Sequence, residues 1–183
     1  MPLVLKRTLS FLVVMLLTFL FLSSATVAYE AELFKVYFSP NGNCEKAIIE
    51  EIRKAKICIH IAIFNFTNGR IARELVKVSK KGIDIKVIMD MESSLNHYSK
   101  GRFLEKKGIS VKYRKGVNRN KVGDETGLMH NKFVIIDRKV VITGSYNWTA
   151  SAEKWNYENL LVIPSKKAAK LFEKEFNSLW IKN

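Results

Sequence analysis

The sequence predicts an α/β domain in which a mixed, largely parallel β-sheet lies between helical layers, and three observations carry that expectation. Apolar runs alternate with amphipathic segments from Leu33 to Met89 in the order β-α-β-α-β, the order of crossover units and parallel pairing. The run Ile57–Phe64 is apolar almost throughout, as a strand covered on both faces must be. Near the C-terminus Leu171, Phe172, Phe176 and Leu179 recur at helical spacing, which provides a further helical layer.

The elements follow in order. Leu33–Phe38 reads as a strand, Ser39-Pro40-Asn41-Gly42 as a turn, and Asn43 as the cap of a helix reaching Ala55. After the strand Ile57–Phe64, Asn68 caps a second helix through Lys80, with Ile71, Leu75 and Val78 on one face. Gly82 stops it before the strand Ile83–Met89. Leu95–Lys107 is expected to be a third helix, ended by Gly108 and followed by the strand Ile109–Tyr113. Arg114 to Gly127, rich in Gly, Asn and charge, reads as a surface loop. Lys132–Asp137 and Lys139–Thr143 read as strands joined tightly at Asp137-Arg138, Asn159–Ile163 as another strand, and Ser165 as the cap of the last helix.

With 31 Lys and Arg against 17 Asp and Glu, the 183 residues carry a formal charge of +14. Lys6-Arg7, the apolar stretch Leu9–Leu22 and the small residues up to Ala28 have the proportions of an export leader, with cleavage after Ala25 or Ala28. Left uncleaved, Leu9–Ala28 is about long enough to anchor the chain in a bilayer. The organisation expected is therefore a leader over residues 1–28 and one domain over 29–183, secreted, periplasmic or membrane-anchored. Residues 29–183 keep 29 basic and 17 acidic side chains, a net of +12, so the folded part is itself basic and suits a polyanionic partner. Cys44 and Cys58 are separated by the length of the first helix, too far for a disulfide, and are expected to be buried free thiols.

One stretch carries chemistry: His130-Asn131-Lys132, then Asp137, then Gly144-Ser145-Tyr146-Asn147. His130 and Lys132 are two apart at a strand start and share a face, as do Ser145 and Asn147 after the next strand. In a hairpin all four converge, surrounding one volume with an imidazole, a fixed cation and two neutral donors, which suits a phosphate gaining negative charge.

The pattern HxK(x)4D(x)6GSxN resembles the signature of the phospholipase D superfamily, matched at His130, Lys132, Asp137, Gly144, Ser145 and Asn147. Phe38-Ser39-Pro40, Ala62 to Thr67, Trp148-Thr149 and Asn156-Tyr157-Glu158-Asn159 look like further landmarks, so the resemblance covers nearly all of residues 33–180. Length and the single motif make it similar to the small nuclease branch of the bacterial endonuclease Nuc and the mitochondrial Zucchini-type proteins. The resemblance implies that His130 is the nucleophile, that Lys132, Ser145 and Asn147 bind the phosphate oxygens, and that Glu158 holds the second ring nitrogen of His130. It implies that Asp137 ties the hairpin and Lys132 in place and that Gly144 permits close backbone packing. The family needs a second histidine to protonate the leaving oxygen. His60 and His97 have no lysine two residues on, so the resemblance implies a homodimer with two His130 side chains at one shared site.

No metal or cofactor is expected, since the histidines at 60, 97 and 130 and the two cysteines lack ligand spacing, and Asp84, Asp90 and Glu92 read as a solvated strand end. His60 reads as a core histidine and His97 as a residue that can line the cleft. Lys112, Arg114, Lys115, Arg119 and Lys121 form a basic cluster that can track a phosphate backbone, Arg114, Lys115, Arg119 and Lys121 being the substrate-binding candidates. Phe64, Phe66 and Trp148 read as packing under the site in preference to base-stacking. The function expected is metal-independent hydrolysis of DNA or RNA phosphodiesters through a phosphohistidine. A phospholipase D acting on lipid head groups is the alternative, and a nucleic-acid binder without turnover a third reading.

Overall fold

The computed structural model describes residues 34–117 and 126–181. The leader expected over residues 1–28, together with Arg119 and Lys121, lies outside the described residues. In chain order the elements are β1 (Lys35–Ser39), α1 (Cys44–Lys54), β2 (Cys58–Ile63), α2 (Gly69–Ser79), β3 (Asp84–Asp90), a 3₁₀ turn (Ser93–Leu95), α3 (Gly101–Glu105) and β4 (Ser110–Gly116). There follow β5 (Gly127–Leu128), β6 (Lys132–Ile136), β7 (Val140–Gly144), α4 (Ala150–Lys154), β8 (Glu158–Pro164) and α5 (Lys166–Ile181).

The strands form one mixed sheet in the order β1-β8-β7-β6-β2-β3-β4-β5. The α/β class and the mixed sheet are as the sequence implies, but the balance of pairings is not. Parallel pairing is confined to β2 with β3 and β3 with β4, and every other neighbour is antiparallel. The reason is connection length. Asp137-Arg138 form a two-residue turn with φ of 52° and 55°, which forces β6 and β7 into a hairpin, and β8 pairs antiparallel with β7. These three strands insert between β1 and β2, so β1 keeps the direction of β2 but lies at the sheet edge against β8.

Helices cover both faces. On one, Ile48 and Ile52 of α1, Ile71 and Leu75 of α2, Leu104 of α3 and Ala152 of α4 pack on Ile59, Ile61, Val87 and Val134. On the other, Ala169 and Phe176 of α5 pack on Ala62, Ile88, Phe133, Ile135 and Val141. Phe176 is wholly buried, a burial that contributes about 1.5–3 kcal/mol. Leu171, expected in the core, is 65% exposed because it stands one residue, or 100°, off the Ala169-Phe172-Phe176-Leu179 stripe. Cys44 and Cys58 are buried free thiols, and burial pushes the Cys44 thiol up to about 11.

Helix starts divide similarly. Asn68 accepts from the N–H groups of Arg70 and Ile71, and Ser165 Oγ accepts from Ala168 N at 3.1 Å, both as the sequence implies. Asn43 does not cap α1: it sits at φ 62°, and the Glu153 carboxylate of α4 accepts the Glu45 N–H at 3.1 Å instead. The third helix is also shorter than expected. The segment from Leu95 to Lys107 keeps helix only over Gly101–Glu105, because Ser93–Leu95 closes a 3₁₀ turn seeded by the Asp90 carboxylate, which accepts Ser93 N–H at 2.8 Å.

Asp137 anchors the hairpin from its turn. Its carboxylate accepts the N–H groups of Lys56, Ile57 and Cys58 at 2.7–3.1 Å, while Asp137 N–H donates to the Cys58 carbonyl. It thus ties β6 and β7 to the start of β2, at the opposite end of β6 from Lys132. Four residues of strand separate it from Lys132, so it acts on Lys132 only through the hairpin it anchors. Removing the carboxylate leaves three amides without this acceptor. Asp137→Ala is expected to lower unfolding free energy in urea by about 2–3 kcal/mol, and Asp137→Asn, which keeps one acceptor and tolerates positive φ, by less.

Candidate active site

Because β6 and β8 run against β2, β3 and β7, the amino ends of the first two share an edge of the sheet with the carboxyl ends of the other three. The residues singled out by the motif gather there. Lys132 pairs with Ile63 at the last rung of β2, and Phe64 N–H donates to the Asn131 carbonyl at 2.9 Å, so His130 emerges beside Phe64. The two rings lie 4.5 Å apart.

Lys132 is the centre of this group. Its ammonium donates to the His130 carbonyl at 2.8 Å, lies 3.3 Å from each ring nitrogen of His130 and stands 5.1 Å from the centre of the Phe64 ring. Thr143 Oγ1 donates to the Lys132 carbonyl across the hairpin. Burial lowers the Lys132 pKa below its ordinary 10.5, with the Glu158 carboxylate drawing it part of the way back. The site is thus a cation kept partly dry, close to a carboxylate but without a hydrogen bond to one. His130 itself is exposed.

Ser145, Asn147 and Glu158 are held by the neighbouring backbone. Ser145 Oγ donates to Glu158 at 2.5 Å and accepts from Asn159 N–H at 3.1 Å, and Asn156 Nδ2 donates to the other Glu158 oxygen at 3.2 Å. Asn147 Oδ1 accepts from Asn65 N–H at 3.3 Å. The expected bond between Glu158 and His130 is not made here. The carboxylate is taken by Ser145 and Asn156, while the His130 ring packs on Phe64 and Lys132. Gly144 is required by contact, since a methyl group at this position would overlap the Asn159 carbonyl oxygen.

The basic cluster ahead of the motif is used differently from expectation. Lys112 Nζ donates to the Trp180 carbonyl at 2.8 Å, and Arg114 donates to the Leu179 and Trp180 carbonyls at 2.7 and 3.2 Å. Both satisfy carbonyls that the end of α5 leaves without helical partners and neutralise its negative pole, so Arg114 is a helix-capping residue in this fold and not a free phosphate contact. Lys115 remains on β4, half-buried.

The other histidines stand apart from the reactive pair. His60 is 5% exposed, stacked at 4.7 Å on Phe176 and bonded through Nδ1 to Glu173, a core residue as expected. His97 is exposed and packs edge-on against Tyr98. Its neighbours Asn96 and Tyr98, not His97, line the cleft beside Asn147. Phe66 and Trp148 are buried edge-to-face at 4.7 Å and so pack beneath the site.

Sequence reasoning missed two supporting carboxylates. Asp90, expected at a solvated strand end, is instead 1% exposed, because it accepts from Met129 N–H at 3.0 Å and from Ser93 N–H, and so positions the residue before His130. Glu153 accepts from the Tyr146 hydroxyl at 2.6 Å and anchors the Ser145–Asn147 loop to α4 and α1. Tyr146 holds its proton well above the usual phenol range through burial and the Glu153 bond. Asp90 carried a local signal, an acid three residues before a serine at a strand end. Glu153 carried none, because its partners lie 7 and 108 residues away.

Residues 48–180 match the family described as cardiolipin synthase, PLD-like domain. A phospholipase D from Rickettsia prowazekii is 32% identical over 137 residues, 74% of this chain and 62% of that protein. The mitochondrial cardiolipin hydrolase of Canis lupus familiaris is 30% identical over 142 residues, 77% of this chain and 52% of its own. The match thus spans between half and two thirds of these curated relatives. Among solved structures, Nuc from Salmonella typhimurium, a phospholipase D family member, superposes with a TM-score of 0.72 at 28% identity, covering 80% of this chain and 93% of its own. NucT from Helicobacter pylori gives 0.72 at 31%, covering 80% and 96%. On its motif, its sheet and these likenesses, the chain belongs to the phospholipase D-like family.

Proposed function

We propose that this protein is a phosphodiesterase that hydrolyses nucleic-acid backbones without a metal, through a phosphohistidine at a site completed by a second copy of the chain. The observation that carries the reading is the Lys132 ammonium held 3.3 Å from the His130 ring in a partly dry pocket. A fixed cation beside an imidazole suits an anionic phosphorus centre.

In this reading a ring nitrogen of His130 attacks phosphorus, forming an N–P bond as the P–O bond to the leaving group breaks. Lys132, Ser145 and Asn147 hold the non-bridging oxygens. The leaving oxygen takes its proton from the partner's His130, and water then attacks the phosphohistidine and frees the imidazole. Glu158, already bonded to Ser145, is within electrostatic reach of Lys132. Asp137, Asp90 and Glu153 act through the backbone they hold. The dimer follows from need, since neither His60 nor His97 is placed to serve as the acid.

The net charge of +12 on residues 29–183 and the end-to-end likeness to Nuc and NucT support a nucleic-acid substrate. The names of the curated relatives, phospholipase D and cardiolipin hydrolase, support a lipid phosphodiester as the second reading. The proposal includes an export leader over residues 1–28 and a catalytic domain over 29–183. Among the described residues no helix is long and apolar enough to cross a membrane.

Purified protein is expected to nick plasmid DNA or cut RNA in excess EDTA, and His130→Ala to lose at least about a thousandfold in rate. Release of head groups from vesicles with nucleic acid left intact would instead move the substrate to lipid. Light scattering should return the mass of two chains, and a stable, active monomer would remove the shared site.

The rate should fall on the alkaline side as Lys132 loses its proton, at a pH below that of an ordinary lysine because burial favours the neutral amine. Glu158→Gln removes the attraction that raises this pKa, so the alkaline limb should move to lower pH. An unmoved or raised limb would exclude Lys132 as the titrating group.

A further inference from the structure

A hollow adjoins the motif at Asn147. A cavity of about 510 Å³ beside Asn147 is lined by Asn65, Asn96, Asn147, Asn156, Tyr98 and Lys100. Thr67 and Ala150 line both this cavity and a second hollow of about 400 Å³ that reaches Gly69 and Arg73. The two hollows adjoin at Thr67 and Ala150 on the way from Asn147 to α2, and Glu45 and Glu153 also line the second.

Arg73 and Lys100 both line a small hollow at Gly69. A methyl group built on Gly69 would lie 3.1 Å from a guanidinium nitrogen of Arg73 and 3.9 Å from Cε of Lys100. Nearby cations are neutralised: Arg53 and Lys77 pair with Glu74, and Arg70 pairs with Glu45 at 2.7 Å. Among the described residues Arg73 and Lys100 join no ion pair. Unneutralised like charges lining one hollow repel, and an anion seated between them relieves that repulsion. A guanidinium beside an ammonium fits a phosphate, offering a planar pair of donors and a mobile point charge.

We propose that Arg73 and Lys100 form a second phosphate subsite, which holds a flanking phosphate of a polynucleotide whose scissile phosphate lies at His130 and Lys132. The amide-lined cleft between them receives the intervening sugar and base. The Asn and Thr side chains there can bond a sugar hydroxyl or a base edge. This inference rests on the nuclease reading and assigns the direction in which the strand leaves the reactive centre.

The test compares the full chain with its Arg73→Gln, Lys100→Gln double variant, both side chains being at the surface, with circular dichroism to verify folding. The substrates are a labelled single-stranded twelve-nucleotide oligomer and bis(p-nitrophenyl) phosphate, which has one phosphodiester and no flanking phosphate. The double variant is expected to lose about tenfold more in kcat/KM on the oligomer than on the small diester, chiefly through KM. The slope of log affinity against log salt should become shallower by about 0.7, the value for one phosphate contact on a single strand. Equal losses on the two substrates, or an unchanged slope, would overturn the subsite. The slope is also read from oligomer binding to His130→Ala protein with and without the double change, so the subsite is judged even where no strand is cut. Failure of the parent protein to cut the oligomer counts against the nuclease reading alone. A selective loss on cardiolipin vesicles, with oligomer binding unchanged, would overturn the nucleic-acid assignment of the subsite.

Discussion

β6 runs antiparallel to β2 with Lys132 opposite Ile63, and the rest of the reactive end depends on this register. Side chains alternate along a strand, so a slip of one residue would carry His130 and Lys132 together to the other face, away from Ser145 and Glu158. Two attachments hold the register from opposite ends. The Asp137 carboxylate gathers three amides at the start of β2, and Phe64 N–H closes on the Asn131 carbonyl at its finish. The apolar face of β6, with Phe133 and Ile135 against α5 and Val134 against the opposite layer, resists slippage by burial.

From that register the site assembles by proximity. The β6–β7 hairpin delivers Ser145 to the edge where β8 begins, and its hydroxyl closes on Glu158 across the β7–β8 pair. Trp148 then lies along Asn65 to Asn68: its N–H donates to the Asn65 carbonyl, and its own carbonyl accepts from Thr67 and Asn68. Asn147 is fixed between these bonds. The polar groups of the motif are thus seated on a buried base of Phe66, Trp148 and Tyr146, and the rigidity of that base sets how well the donors stay aimed.

Charge is divided between structure and surface. Part of the basic composition completes the fold, as Lys112 and Arg114 show in closing the end of α5, and part is neutralised on the α1–α2 face by Glu45 and Glu74. A net charge read from composition counts all of these alike. Only position separates a guanidinium that satisfies carbonyls from one that has no acid beside it.

Periodicity and turn chemistry made most elements legible in the sequence: β2, α2, the Asp137-Arg138 hairpin and α5 depend on neighbours a few residues away. The motif was legible for the same reason, as His130 with Lys132 and Ser145 with Asn147 are local pairs. Less legible were the features made by residues distant in the chain. They include the place of β1 at the edge, the Glu153 cap on α1, the Asp90 hold on Met129, the duty of Arg114 and the partner of Glu158. The parallel order inferred from alternating elements holds for β2, β3 and β4, whereas the tight turn after β6 makes β6 to β8 antiparallel and moves β1 to the edge. The sequence by itself determined which chemical groups this protein carries and which of them lie on common faces. Pairs such as Lys77 with Glu74 are local, but tertiary structure alone decided that Arg53 meets Glu74, Arg70 meets Glu45 and Arg114 meets the end of α5, since those choices depend on distances between elements that no local spacing encodes.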